Sequence, residues 1–110
     1  MKVKAAIATA KEQPLSIENV EIDEPCPDEV QVRLVATGVC HTDAIVRDQW
    51  YLTPLPAVLG HEGAGIVEKV GSAVTGITPG DRVVLSFANC GACASCNAGH
   101  PGYCADFVHA

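Results

Sequence analysis

Apolar and polar residues alternate with the two-residue period of a β-strand in several short stretches of this chain. Val3, Ala5 and Ile7 alternate with Lys2, Lys4 and Ala6. After the Gln13-Pro14 break, Leu15 and Ile17 and then Val20 and Ile22 sit among polar neighbours. Val30, Val32, Leu34 and Ala36 form one face of a predicted strand whose other face carries Gln31, Arg33 and Val35. Two further strands are predicted at 65–70, ending at Gly71, and at 82–85, following the Pro79-Gly80-Asp81 turn. A short helix is predicted over 42–47, with Thr42 or Asp43 capping its first turn. Two prolines make a regular element over 49–59 unexpected, and 88–107 has the Cys, Gly, Asn and Pro composition of a loop. Short strands with Gly and Pro punctuation describe a mainly β fold, a small, partly open barrel with one short helix.

The chain has 110 residues, one domain's worth, and hydrophobic residues make up 48% of it. That content rules against disorder and predicts a sizeable core. Seven basic and thirteen acidic residues give a net charge of −6, which argues against nucleic acid and anionic membrane surfaces as partners. No stretch approaches the ~20 apolar residues of a spanning helix. The N-terminal apolar run is short and meets Lys11, Glu12 and Pro14, unlike a signal peptide. A cytoplasmic location is the expectation.

The six cysteines change the picture, because four of them fall within Cys90-x2-Cys93-x2-Cys96-x7-Cys104. Clustered thiols in a reducing compartment point to metal, and four thiolates match a closed, tetrahedral structural Zn²⁺ site. A loop with almost no apolar residues to bury needs another source of folding energy, and structural zinc supplies roughly 10–16 kcal/mol at neutral pH in small fingers. Two disulfides, free thiols or an iron–sulfur cluster are the alternatives. A second constellation comprises Cys40-His41-Thr42-Asp43 and Gly60-His61-Glu62. Its residue types suit a metal site, and on chemistry alone they equally suit isolated structural residues. Cys26, in a proline-flanked loop, reads as a free thiol, and His100 and His109 read as surface residues.

Gly60-His61-Glu62-x2-Gly65-x5-Gly71-x2-Val74 resembles the zinc-containing alcohol dehydrogenase signature at every fixed position. The segment Gly38-Val39-Cys40-His41-Thr42-Asp43 is similar to the one that brings that family's first catalytic zinc ligand, and the four-cysteine lobe follows in the family's order. The text from Val46 through Pro54-Leu55-Pro56 to Val74 is similar to the aryl-alcohol (benzyl-alcohol) branch. The resemblance implies a GroES-like β-barrel spanning 1–110, with the structural zinc lobe at 88–107. It implies that Cys40 and His61 are two of three protein ligands of a catalytic zinc, the third being a cysteine beyond residue 110. It implies that Asp43 accepts a hydrogen bond from the His61 ring, that Glu62 lies behind the metal and ligates it transiently, and that Thr42 takes the alcohol proton. Relatives carry a proton-relaying histidine where this chain has Ile45. His41 corresponds to a residue that reaches the cofactor pyrophosphate, and Trp50, Tyr51, Ser86 and Phe87 to regions lining the substrate cleft.

The implied reaction is oxidation of a primary aryl or allylic alcohol to an aldehyde, with hydride passing to NAD or NADP, in a homodimeric or homotetrameric parent. Thiol-dependent formaldehyde dehydrogenases share Cys-His-Thr-Asp-Ala and Gly-His-Glu-Gly-Ala-Gly and are the alternative. A stand-alone zinc-binding GroES-like module is the alternative of another class, and it would have no use for Cys40, His61 and Glu62. The sequence has no G-x-G-x-x-G run, the mark of a Rossmann nucleotide-binding unit. The expectation is therefore the N-terminal portion of a longer enzyme, lacking the α/β cofactor domain and inactive by itself.

Overall fold

A computed structural model describes residues 1–107, which are mainly strand and loop. Strands β1 (Lys2–Ala8), β2 (Ser16–Glu21) and β4 (Ala57–Val58) form one sheet in the order β2-β1-β4. Strands β3 (Val30–Thr37), β5 (Gly63–Val70) and β6 (Arg82–Val84) form a second in the order β3-β5-β6. Every pairing is antiparallel, and no ladder joins the two sheets among the described residues, so the barrel is open. No helix among the described residues is long and apolar enough to cross a membrane.

The strands lie where alternation places them, with one correction inside β3. The β3–β5 register shifts between Gln31 and Val32 and again between Leu34 and Ala36. The first leaves Glu68 of β5 unpaired and the second Val35 of β3, and the extra residue in β3 turns those after it to the other face. Gln31 is buried and Leu34 is 53% exposed, so the uniform apolar face expected from Val30 to Ala36 does not form. The 49–59 stretch contributes the two residues of β4, which pair with Ile7 and Ala8.

The sizeable core expected from composition is also corrected. Among the described residues the buried hydrophobic side chains are Ala8, Val46, Val67 and Cys104. The radius of gyration is 15.1 Å, against about 13 Å for an ordinary domain of this length. Two three-stranded sheets present four faces, and this chain has little with which to cover the outer ones. Much of its apolar content is therefore exposed, Val39, Trp50, Leu52 and Val84 most of all.

Close backbone approach replaces side-chain packing at two signature glycines. A Cβ on Gly65 would overlap the Arg33 carbonyl across the β3–β5 ladder. A Cβ on Gly71 would overlap the carbonyls of Cys26 and Pro27, at the turn where the Gly71 amide donates to the Glu29 carbonyl (2.8 Å). Backbone atoms cannot step aside as a flexible side chain can. Gly71→Ala should lower stability by about 1–3 kcal/mol, the usual cost of overpacking. Urea denaturation of both proteins would measure it, and an unchanged midpoint would contradict this packing.

Candidate functional site

One end of the β3-β5-β6 sheet gathers the second constellation. The ladder ends at the Thr37–Gly63 pair, and beyond it the Gly38 amide donates to the Glu62 carbonyl (2.9 Å). Cys40 therefore follows β3, and His61 and Glu62 precede β5, at the same sheet end. The Leu85 amide donates to the Gly63 carbonyl (2.8 Å), which brings the segment after β6 alongside. There the Phe87 ring lies 5.0 Å from the His61 ring, centroid to centroid.

Helix α1 (His41–Arg47) fixes Cys40 locally. Cys40, in extended conformation, is the residue before the first turn, and Asp43 Oδ2 accepts its amide at 3.0 Å. This corrects the expected cap, since Cys40 rather than Thr42 or Asp43 occupies the N-cap. Val46 is buried beneath the helix, Asp43 and Arg47 suit its dipole at either end, and it stops at Asp48. The Gln49 side-chain amide then donates to the carbonyls of Val46 (3.0 Å) and Thr53 (3.1 Å) and holds the loop that follows.

The ligand atoms of Cys40, His61 and Glu62 lie within 4.8 Å of one another, with Glu62 Oε1 at 4.0 Å from His61 Nε2. The Cys40 thiol and the Thr42 hydroxyl are 3.4 Å apart, so Thr42 faces the same point. Asp43 does not meet its expected partner: its carboxylate serves the Cys40 amide, and the hydrogen bonds of the described residues include none between it and the His61 ring. A helix start consumes a carboxylate at its third position, and that local use takes precedence here. His41 is exposed in the first turn of α1, and Trp50, Tyr51 and Ser86 are exposed as well. Of the four residues expected to line a cleft, Phe87 is the one placed against His61.

The cysteine lobe is more ordered than its composition indicates. It holds one turn of helix, α2 (Ala94–Asn97), and a 3-10 turn, Pro101–Tyr103. The sulfurs of Cys90, Cys93, Cys96 and Cys104 lie within 4.8 Å of one another, and all six cysteines of the chain are free thiols. A tetrahedral zinc with bonds of about 2.3 Å holds its sulfurs roughly 3.8 Å apart, so the cluster needs little contraction. The donor set also suits a cation in a second way. The Cys90 and Asp106 amides donate to Cys104 Sγ (both 3.4 Å), and the Cys93 amide donates to Cys90 Sγ (3.3 Å). Amides directed at sulfur favour the thiolate. The Ala105 and Cys96 amides bring the Cys93 thiol down to about 6, and amides of Ala92 and Cys93 lower Cys90. Burial pushes the Cys96 thiol up to about 12, and its hydrogen bond with Cys93 adds to the rise.

Cys26 lies outside both clusters, exposed, and the Glu29 carboxylate beside it raises its pKa. His100 is exposed as expected, and His109 lies outside the described residues. In the sequence Gly38 has no role beyond its place in the Gly38–Asp43 motif. A glycine offers no chemistry to notice, and its importance is visible only once Glu62 is seen packed over it.

Known proteins place this arrangement. Residues 26–110 match the family described as the alcohol dehydrogenase GroES-like domain. Geraniol dehydrogenase of Castellaniella defragrans is 50% identical over 104 residues, covering 94% of this chain and 28% of that enzyme. An alcohol dehydrogenase zinc-binding domain protein from Burkholderia ambifaria superposes with a TM-score of 0.95 at 59% identity, over 97% of this chain and 29% of that one. Benzyl alcohol dehydrogenase from Acinetobacter calcoaceticus superposes with a TM-score of 0.94 at 50% identity, over 99% and 30% respectively. The chain thus spans under a third of the length of these relatives. Its open β fold, its paired sheet-end motif and its cysteine lobe all belong to one lineage: the chain is a member of the alcohol dehydrogenase GroES-like domain family.

Proposed function

We propose that residues 1–110 form the N-terminal, metal-bearing part of a zinc-dependent dehydrogenase that oxidises primary allylic or aryl alcohols to aldehydes. The observation that carries this reading is the convergence of Cys40, His61 and Glu62 at one sheet end, separate from a complete four-thiolate cluster. One centre is closed and structural; the other keeps room for a substrate. Similarity to enzymes named for geraniol and benzyl alcohol supports the substrate class. The extensive exposed apolar surface supports a longer parent in which further chain covers it.

In this reading Cys40 and His61 hold the catalytic zinc, with Glu62 as the third group within reach. Zinc bound there supplies Lewis acidity, which lowers the pKa of an alcohol hydroxyl. The chain's own residues do the rest. Thr42, whose hydroxyl faces the Cys40 sulfur, accepts the hydroxyl proton of the substrate. A nicotinamide, NAD or NADP, bound by a domain outside residues 1–110 would supply the hydride acceptor for the carbinol hydrogen, so that loss of that hydride and of the hydroxyl proton would leave the aldehyde. Asp43 keeps Cys40 in place by holding its amide, and the Phe87 ring packs beside the His61 ring. By the family resemblance His41 would meet the cofactor, and Trp50, Tyr51, Ser86 and Phe87 would line the substrate cleft. The cytoplasm and a homo-oligomeric parent belong to the same reading.

Two assays test it. The parent polypeptide should reduce nicotinamide with benzyl alcohol and geraniol, and turn over a thiol adduct of formaldehyde far more slowly; the reverse order would overturn the substrate class. The 110-residue chain should show no turnover with either nicotinamide cofactor, because it has no nucleotide-binding fingerprint. After dialysis it should retain about one zinc per chain, the lobe having four thiolates and the second site three mixed ligands. Turnover by the isolated chain would refute this division of labour.

A further inference from the structure

We propose that Gly38 is a positioning residue: its missing side chain is the slot that lets the Glu62 carboxylate stand beside Cys40 and His61. This deepens the reading of that site as a metal centre and rests on it. A Cβ placed on Gly38 would overlap Glu62 Oε2 and come within 3.1 Å of both Glu62 Cβ and Cδ. All three of its nearest neighbours belong to Glu62, so the nearest obstacle is that one side chain. The backbone supplies no second reason for glycine here, because Gly38 is not among the positive-φ glycines, which are Gly60, Gly76, Gly80, Gly91 and Gly99. Its amide donates to the Glu62 carbonyl (2.9 Å), so the two residues are held back to back whatever the carboxylate does.

The contrast with the other crowded glycines defines the consequence. At Gly65 and Gly71 the obstructing atoms are backbone carbonyls, and substitution strains the fold. At Gly38 the nearest obstructing atom is the tip of a flexible side chain that is 46% exposed, so it can swing away cheaply. Alanine at 38 therefore leaves the fold in place and moves the carboxylate off the metal site. The loss falls on metal affinity rather than on stability, and it passes entirely through Glu62.

A double-mutant cycle tests this with the 110-residue chain loaded with one equivalent of zinc, so that the cysteine lobe is filled. Cobalt(II) is then titrated and followed by its Cys40-thiolate charge-transfer band, alongside the melting temperature. Gly38→Ala should weaken cobalt binding by about 10–100-fold, the range for groups that orient metal ligands. Glu62→Ala should weaken it similarly, and the double variant should be no weaker than Glu62→Ala alone. The melting temperature of Gly38→Ala should stay within a few degrees of the parent chain. Unchanged cobalt affinity in Gly38→Ala, or an equal loss in the Glu62→Ala background, overturns the slot. Should Gly38→Ala fail to fold, restoration by Glu62→Ala supports the proposal and failure of both overturns it. A parent chain giving no cobalt band would sink the metal reading itself, whereas a band indifferent to Gly38→Ala sinks the slot alone.

Discussion

Removing zinc from this chain should unfold 88–107 and leave both sheets standing. The only buried side chain in that stretch is Cys104, one of the four sulfurs, so no apolar core remains there once the metal is gone. What is left is one helical turn, a 3-10 turn and a few side-chain bonds such as Asn97 Nδ2 to the Ala92 carbonyl (2.8 Å). An isolated turn of helix is not stable in water. Zinc contributes roughly 10–16 kcal/mol to small finger domains, far more than those bonds can replace. The sheets depend on it little, since β1–β2 and β3–β5 are long ladders formed by other segments. Hydrogen exchange followed by mass spectrometry, with and without a chelator, checks this region by region. Amides of 88–107 should lose protection on chelation while those of 30–37 and 63–70 keep theirs. Cys93→Ser should give the chelated pattern without chelator. Equal protection before and after metal removal would mean that the lobe folds by some other means.

The second large effect is expected at the sheet end. Cys40→Ser and His61→Ala should each weaken the second metal by more than about 100-fold, beyond the usual effect of losing a group that merely orients a ligand. The lobe zinc should stay, because its ligands come from a separate segment. In the parent enzyme both substitutions should abolish alcohol oxidation, while Asp43→Asn should reduce metal affinity moderately. Asp43 holds Cys40 through one hydrogen bond to its amide and makes none to His61. Metal titration of zinc-loaded variants measures all three. A strong effect of Asp43→Asn with a weak effect of His61→Ala would reverse the roles assigned to them.

How much of this was legible beforehand depended on the range of the forces involved. Strands such as β1 and β5 are written in local alternation, and the cysteine spacing is local too, so both could be read directly. The family motif supplied the pairing of Cys40 with His61, and the fold supplies its cause, the Thr37–Gly63 end of the ladder. What escaped was set by tertiary or backbone detail. The bulges, one in β5 and one in β3, follow from the pairing of these strands and leave no mark in the alternation of their side chains. The brief β4 pairing at Ala57 and Val58 depends on β1 being nearby. The choice of Cys40 over Thr42 as helix cap turns on which residue the chain enters from, and it redirected Asp43 from His61 to a backbone amide. Composition indicated a core because it counts apolar residues without knowing whether anything covers them. Gly38 illustrates the limit most clearly, since a residue defined by absence acquires a role only from its neighbour.

On the proposed function this chain carries two metal centres, one closed by four thiolates and one at the Cys40–His61–Glu62 sheet end. Anomalous diffraction at the zinc absorption edge, from crystals grown with excess zinc, tests it most directly. A full-occupancy peak is expected about 2.3 Å from the sulfurs of Cys90, Cys93, Cys96 and Cys104, with a second, weaker peak bound by Cys40 Sγ and a His61 ring nitrogen and Glu62 in reach. Sulfurs of the lobe paired at about 2.05 Å as disulfides, or a sheet end without a peak, would contradict it.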